Sequence, residues 1–319
     1  MGQHFGAMVE AVLIFPGQGA QKVGMGKDLA ERFPDARDVF EAVDDALGVA
    51  LSRLMWEGPE DELTLTHNAQ PAILAHSAAV HALVAPAVAP VAGAGHSLGE
   101  YSAYAAAQSV TVREAARLVR RRGELMLEAG KARAGTMAAV VGLATEDVER
   151  VCGDASTADS VAVAANLNTP DQTVISGDPD AVARAGEGCK DAGAKRVLPL
   201  NVSGAFHSPL MEPAREGLEA VLATAEFADP AFPVVANARA EPVRDAATAV
   251  SLLGEQLVTP VRWVGCMKQA AHLAGASTTF LECGPGKVLA GLLKRIVQGA
   301  TVQSLGTAED VTAFLEAHG

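Results

Sequence analysis

Aromatic residues make up only 4% of this 319-residue chain. With so few large rings, the core must be built from small and branched aliphatic side chains. That packing suits helices laid on a sheet, as in α/β proteins. Cysteine is scarce too: Cys152, Cys189, Cys266 and Cys283 lie far apart, with no C-x-x-C pair. The spacing gives no support to a structural zinc site, and no metal is expected. Free thiols in a reducing compartment are the plainer reading than a disulfide pair. No apolar run is long enough to cross a bilayer as a helix. Met1–Met8 has no basic region followed by an apolar stretch, so it does not read as a signal peptide, and Met8 is an alternative start. The expected location is cytoplasmic, with no membrane partner. Basic residues are outnumbered, 25 Lys and Arg against 38 Asp and Glu, for a formal charge of −13. So acidic a chain is a poor partner for nucleic acid, where affinity rests on neutralising phosphates. An anionic substrate would need a local positive site.

The chain is 49% hydrophobic and 20% charged, which fits a folded protein with a sizeable core. Val9 to Phe15 reads as a strand that stops at Pro16-Gly17-Gln18-Gly19. Asp28 to Leu47 has helical spacing, as does Ala69 to Val84, punctuated at its start by Asn68 and Gln70-Pro71. Val88 to Ala94 reads as a short buried strand, and Glu100 to Ala107 as an Ala-rich helix. Thr111 to Ala129 is a strong helix, with Thr111 and Glu114 in a capping-box pattern.

The texture changes at Gly135. Thr136–Gly142, Val161–Ala165, Gln172–Ser176 and Lys195–Pro199 read as strands, with helices at Glu146–Cys152 and Pro179–Ala192. Strand-helix-strand-strand-helix-strand is the ferredoxin-like order. This predicts a small subdomain over 135–202, inserted between two parts of a large one, 1–134 and 203–319. Beyond it, Pro209–Ala225, Val250–Leu257 and Val288–Ile296 read as helices, and Phe232–Asn237 and Thr278–Cys283 as strands.

Gly95-His96-Ser97-Leu98-Gly99 fits G-x-S-x-G between a buried strand and a small-residue helix. On such a sharp turn the nucleophile is thrown above the sheet, and the flanking positions must be small where strand and helix approach. Ser97 is therefore a candidate nucleophile, with the N–H of Leu98 aimed at the same place. The plainer alternative is a strand-to-helix turn capped by a serine.

A serine needs a general base, usually histidine. His4 and His318 lie near the termini. His67, His76, His81 and His272 sit in helical or capping contexts, and His96 adjoins Ser97 on a turn where neighbours point apart. That leaves His207, between a strand and a helix, where a catalytic residue and a helix-capping loop histidine are equally at home. The loop at Gly17-Gln18-Gly19 fails as a dinucleotide loop because Lys22 stands where a third glycine belongs. Its better role is to offer a second backbone N–H to an oxyanion.

Together these segments resemble the malonyl-CoA:acyl-carrier-protein transacylase family, which includes fatty-acid-synthesis enzymes and polyketide synthase acyltransferases. The resemblance runs from about Val9 to Leu305. It rests on Phe15-Pro16-Gly17-Gln18-Gly19, Gln70-Pro71-Ala72, Gly95-His96-Ser97-Leu98-Gly99-Glu100, Arg122-Gly123 with Met126, Asn166 with Asn168, Gly204-Ala205-Phe206-His207, Pro260-Val261-Arg262-Trp263 and Glu282 with Gly284-Pro285-Gly286.

The resemblance implies an α/β-hydrolase-like large subdomain with an inserted ferredoxin-like one. It implies that Ser97 is the nucleophile and His207 the base. The amides of Gln18 and Leu98 form the oxyanion hole, and the main-chain carbonyl of Gln256 orients His207. Arg122 binds the free malonyl carboxylate, with Gln70, His96, Asn168 and Phe206 at the substrate. Phe206 resembles the form associated with malonyl rather than methylmalonyl selection. Residues adjacent on a helix lie about 100° apart, so Arg120, Arg121 and Arg122 cannot all face one way; the choice of Arg122 comes from the family motif.

The expected substrates are malonyl-CoA and a holo acyl carrier protein, whose phosphopantetheine thiol receives the acyl group. No permanently bound cofactor is expected, and the chain is expected to be a monomer. A serine hydrolase with the same elbow is the main rival, and a catalytically dead scaffold the second. An acidic carrier would need a basic patch, with Arg113, Arg117, Arg120 and Arg121, or Lys190, Lys195 and Arg196, as candidates.

Overall fold

The computed structural model describes residues 8–202, 204–275 and 279–318. Met1–Ala7 with His4, Ser203 before the candidate base, and Thr278 at the expected start of a strand lie outside them.

The chain begins with β1 (Val9–Phe15), whose last five residues are buried. Five helices follow: α1 (Lys27–Arg32), α2 (Pro34–Leu47), α3 (Leu51–Glu57), α4 (Glu60–Thr64) and α5 (Thr66–Val84). Then come β2 (Val88–Gly95), α6 (Gly99–Ala106) and α7 (Val112–Ala132). The middle of the chain gives β3 (Thr136–Val141), α8 (Thr145–Ala155), β4 (Ala162–Thr169), β5 (Gln172–Gly177), α9 (Pro179–Asp191) and β6 (Arg196–Pro199). The remainder gives α10 (Glu212–Leu222), β7 (Val234–Val235), β8 (Pro242–Val243), α11 (Ala246–Glu255), α12 (Trp263–Ala274), β9 (Thr279–Cys283), α13 (Val288–Ile296), β10 (Thr301–Leu305) and α14 (Ala308–His318).

Two sheets result. The larger has the order β10-β9-β1-β2-β7-β8 and is parallel except for the β7–β8 pair. Its inner strands β1, β2 and β9 are mostly apolar, with Glu10 near the start of β1 and a buried Glu282 in β9, as expected where helices cover both faces. The smaller sheet, β4-β5-β3-β6, is antiparallel throughout, with α8 and α9 packed against it. This is a mixed α/β fold in which the antiparallel sheet interrupts the chain between the two parts of the parallel one. Strand β4 also pairs with the segment just before α12. The Leu167 N–H donates to the Val261 carbonyl at 2.9 Å, and the Val261 N–H to the Ala165 carbonyl at 2.8 Å.

Several elements differ from the sequence expectation. The helix expected over Asp28–Leu47 is two, because Phe33 is extended (φ −122°, ψ 116°), as a residue before proline prefers. The α5 helix starts at Thr66 rather than Ala69 and carries Pro71 inside it. Val250–Leu257 is displaced: α11 begins at Ala246, where the Asp245 side chain accepts the Thr248 N–H at 2.8 Å. Pro209–Met211 forms a single 3-10 turn before α10, which ends at Leu222. The expected strand Phe232–Asn237 shrinks to Val234–Val235. Of the capping box on α7 half exists: Thr111 Oγ1 accepts the Glu114 N–H, but the Glu114 carboxylate turns to Arg117.

Candidate active site

The turn after β2 carries Ser97 at φ 53°, a left-handed backbone that non-glycine residues seldom adopt. The glycines on either side are required by space. A Cβ on Gly95 would lie 1.9 Å from the backbone of Gly99, and one on Gly99 would lie 2.3 Å from the Phe15 carbonyl oxygen. So β1, β2 and the start of α6 meet in near backbone contact, and Ser97 is lifted above them.

His207 also has a positive φ, 56°, and is buried. Its Nδ1 lies 2.9 Å from the Gln256 carbonyl oxygen. A carbonyl only accepts, so Nδ1 carries the proton and Nε2 presents its lone pair. That lone pair faces Ser97 Oγ at 2.8 Å. Burial, and then the positive charge of Arg122, push the His207 pKa down to about 3. The imidazole is therefore a neutral acceptor at ordinary pH.

Arg122 is 1% exposed. It projects from the face of α7 that also holds Ala115, Leu118, Val119, Leu125, Met126 and Ala129. Its hydrogen bonds run to neutral oxygens: Nη1 to Gln70 Oε1 at 2.7 Å, and Nη2 to Gln256 Oε1 at 2.9 Å and Ser97 Oγ at 3.0 Å. Its Nε has no partner among the described residues. The apolar spacing Ala115–Leu118–Val119–Arg122–Met126–Ala129 was a signal present in the sequence, and it singles out Arg122 from its two neighbours. Arg120 instead donates to Asn68, and Arg121 pairs with Glu124 and Glu128 at the surface.

The other expected site residues fall around these. The N–H groups of Gln18 and Leu98 have no acceptor among the described residues, and Leu98 opens α6. The Gln18 side chain accepts from Thr66 Oγ1 at 2.9 Å. Thr66 in turn accepts from Gln70 Nε2 at 3.0 Å, which ties the first loop to Arg122 through Gln70. Gln70 is fully buried behind Arg122 rather than at the cavity wall. His96 Nε2 donates to Asn168 Oδ1 at 2.8 Å, so the antiparallel sheet reaches the elbow. Phe206, Asn168, His96, Ser97 and His207 all line one cavity of about 410 Å³. Met137, Ala139 and Val174 from β3 and β5, and Val288 and Leu292 from α13, line it as well.

Three residues at the site were not singled out from the sequence: Glu100 and Asn237, and the side chain of Gln256. Gln256 Nε2 donates to Glu100 Oε2 at 2.7 Å and to the Ser97 carbonyl at 3.0 Å. Burial raises the Glu100 pKa to about 7. The four cysteines are free and buried, as expected. Among the described residues no His, Cys, Asp and Glu group could hold a metal ion, and no helix is long and apolar enough to cross a membrane. The basic residues proposed for docking are largely taken: Arg113 pairs with Asp45, Arg117 with Glu114, and Lys190 with Glu187.

Comparisons with known proteins give the family. The family described as an acyl transferase domain matches residues 12–318. The malonyl CoA-acyl carrier protein transacylase of Bacillus subtilis is 44% identical over 290 residues, 91% of each chain. A crystal structure of malonyl-CoA:acyl carrier protein transacylase from Xanthomonas oryzae superposes with a TM-score of 0.93 at 39% identity, covering 98% of this chain and 99% of that one. A malonyl-transacylase solved in complex with a type II polyketide synthase acyl-carrier protein gives a TM-score of 0.91 at 40% identity, covering 97% and 99%. The chain is an acyltransferase and belongs to the malonyl-CoA:acyl-carrier-protein transacylase family.

Proposed function

We propose that this enzyme moves a malonyl group from malonyl-CoA to the phosphopantetheine thiol of an acyl carrier protein, through a malonyl ester on Ser97. The observation that carries the reading is Arg122. A buried guanidinium bonded to neutral oxygens, 3.0 Å from a serine Oγ that also faces an imidazole, is a receptor for a carboxylate on the acyl group. A planar guanidinium holds a carboxylate with two parallel hydrogen bonds. An acetyl group would leave the cation without a counter-charge. Breaking a buried pair costs about 3–5 kcal/mol, or roughly two to nearly four orders of magnitude in favour of malonyl.

The chemistry is a double displacement. Ser97 Oγ attacks the thioester carbonyl carbon as its proton passes to His207 Nε2. The oxyanion is held by the N–H groups of Gln18 and Leu98; losing one such donor costs about 3–4 kcal/mol in the transition state. The C–S bond breaks, and the proton on Nε2 goes to the departing CoA sulfur. The carrier thiol then gives its proton to Nε2 and attacks the ester carbonyl. When the C–O bond breaks, Ser97 Oγ takes that proton back. The Gln256 carbonyl keeps His207 in the required tautomer throughout, with His96, Asn168 and Phe206 shaping the acyl site and Gln70 holding Arg122 from behind. In this reading residues 135–202 form a small subdomain that closes the cavity over the part built from 1–134 and 203–319. No resident cofactor takes part.

Intact mass after mixing with malonyl-CoA tests the ester: one added malonyl group in the wild type, none in Ser97→Ala. Adding holo acyl carrier protein should move the group to the carrier. Free malonate as the dominant product would instead make the protein a hydrolase, and no adduct at all would remove catalysis from the reading.

A further inference from the structure

The nucleophile elbow is held from below by a residue with no place in the chemistry above. Asn237 follows β7 and is fully buried. Its Oδ1 accepts the Ser97 N–H at 2.8 Å, and its Nδ2 donates to the Gly95 carbonyl at 2.8 Å. One amide thus grips the turn on both sides of His96. Its own backbone is fixed as well: the N–H donates to Glu100 Oε2 at 3.0 Å, and the carbonyl accepts the Arg262 N–H at 3.1 Å. We propose that Asn237 is a positioning residue for the nucleophile, clamping the Gly95–Ser97 turn so that Ser97 stays in its strained conformation and the Leu98 N–H alone is offered by the elbow to the oxyanion.

The physical case has two parts. A positive φ at a serine costs of order 1–3 kcal/mol and persists only where the surroundings over-determine it. Bonds to both sides of the turn supply that constraint from a strand end that cannot shift, because Glu100 and Arg262 hold it. Secondly, the Ser97 N–H is the other elbow donor near the reacting carbonyl. Asn237 Oδ1 occupies it, so the oxyanion position is set by Leu98 and the first loop rather than shared among three donors. The amide matters in both halves: a donor must face Gly95 and an acceptor must face Ser97.

This inference rests on the transacylase reading, and its test separates the two. Wild type, Asn237→Ala and Asn237→Asp are mixed with malonyl-CoA and quenched, and the rate of ester formation is read by intact mass. Misplacing a reacting group by about 1 Å typically costs about 100-fold, so Asn237→Ala should acylate about 100-fold more slowly at unchanged half-saturation. Asn237→Asp carries the sharper readout. A protonated aspartic acid reproduces both contacts, whereas the carboxylate repels the Gly95 oxygen. Titratable or charged groups around it are Glu100 of α6, Cys266 of α12, Arg262 just before α12, whose N–H bonds the Asn237 carbonyl, and Arg122 and His207, which reach it through Gln256. The rate of Asn237→Asp relative to wild type should climb at least about tenfold from about pH 8 to about pH 5.5 as that acid is protonated. Variants that acylate at the wild-type rate, or a ratio flat with pH, overturn the clamp. If neither variant folds, amide exchange in the wild type decides: the Ser97 N–H should exchange at least about tenfold more slowly than that of Leu98, and equal rates reject the clamp. A wild type that forms no ester rejects the transacylase reading instead, and the exchange comparison then judges the clamp alone.

Discussion

His207 Nδ1 is held by the backbone carbonyl of Gln256 at 2.9 Å, and among the described residues no carboxylate takes the position of a third triad member. The contact fixes the tautomer and favours the protonated ring, but it adds no negative charge as an aspartate would. Burial and the nearby Arg122 lower it to about 3. The base-competent form therefore persists as pH falls. Single-turnover formation of the malonyl ester should show no acid limb near 6.5, the ordinary imidazole value. Quenched-flow rates between about pH 7.5 and about pH 5 should stay within about threefold for folded enzyme. A tenfold fall with a midpoint near 6.5 would mean that His207 is solvated in the working enzyme.

Arg122 should decide which acyl group is accepted. Arg122→Ala is expected to slow malonyl transfer about 100- to 1000-fold and to relax the preference for malonyl-CoA over acetyl-CoA. Arg122→Lys keeps a charge but loses the fork, and should fall between the two. Competition between the two acyl-CoAs, read as the mass of the acyl-enzyme, measures this. An unchanged malonyl-to-acetyl ratio in Arg122→Ala would show that the carboxylate is read elsewhere.

What the sequence made legible was local. Ser97 could be found because strand, glycine, serine, glycine and helix stand in one short segment. Arg122 was picked out by the family motif, and the apolar stripe of α7 on which it falls was a second signal that went unread. The ferredoxin-like order of β3, α8, β4, β5, α9 and β6 was legible because each element is short and punctuated. The support beneath the elbow was not. Asn237 stands 140 residues from Ser97, and Gln256 stands 156 from Glu100, so no spacing links them. The short β7 has the same origin. After Val235 the chain turns over: the Ala236 N–H donates to the Glu241 carbonyl at 3.0 Å, the Ala240 N–H to the Ala236 carbonyl at 2.8 Å, and the Asn237 N–H to the Glu100 carboxylate.

The closeness of backbone around the elbow makes its glycines a stability test. Gly95→Ala would bring a methyl to 1.9 Å from the Gly99 backbone, where no flexible side chain can yield. The strand and α6 would have to separate, at a cost of at least about 3 kcal/mol. Urea unfolding should show a large drop in midpoint, or no soluble protein. Gly153→Ala is the control, since a Cβ there meets nothing within 4 Å. A Gly95→Ala protein as stable as that control would mean that the elbow is looser than its geometry indicates.

Buried imidazoles also set how stability depends on pH. Burial lowers His207 to about 3 and His76 and His81 to about 4, and it lowers His96 as well, all from 6.5. Between those folded values and 6.5, the unfolded chain binds protons that the folded chain refuses, so stability falls as pH falls through this window. Glu100 works in the opposite sense. Burial raises it from 4.5 to about 7, so within that range the folded chain keeps a proton that the unfolded chain releases, and Glu100 costs stability as pH rises. Glu282, also raised by burial, acts in the same direction as Glu100. Four histidines against two carboxyls leave the first effect dominant. The melting temperature should therefore drop on going from about pH 7 to about pH 5. In Glu100→Gln the opposing contribution is gone, so the drop should be steeper. A melting temperature that holds or rises on acidification would show that these histidines gain water or protons in the folded protein.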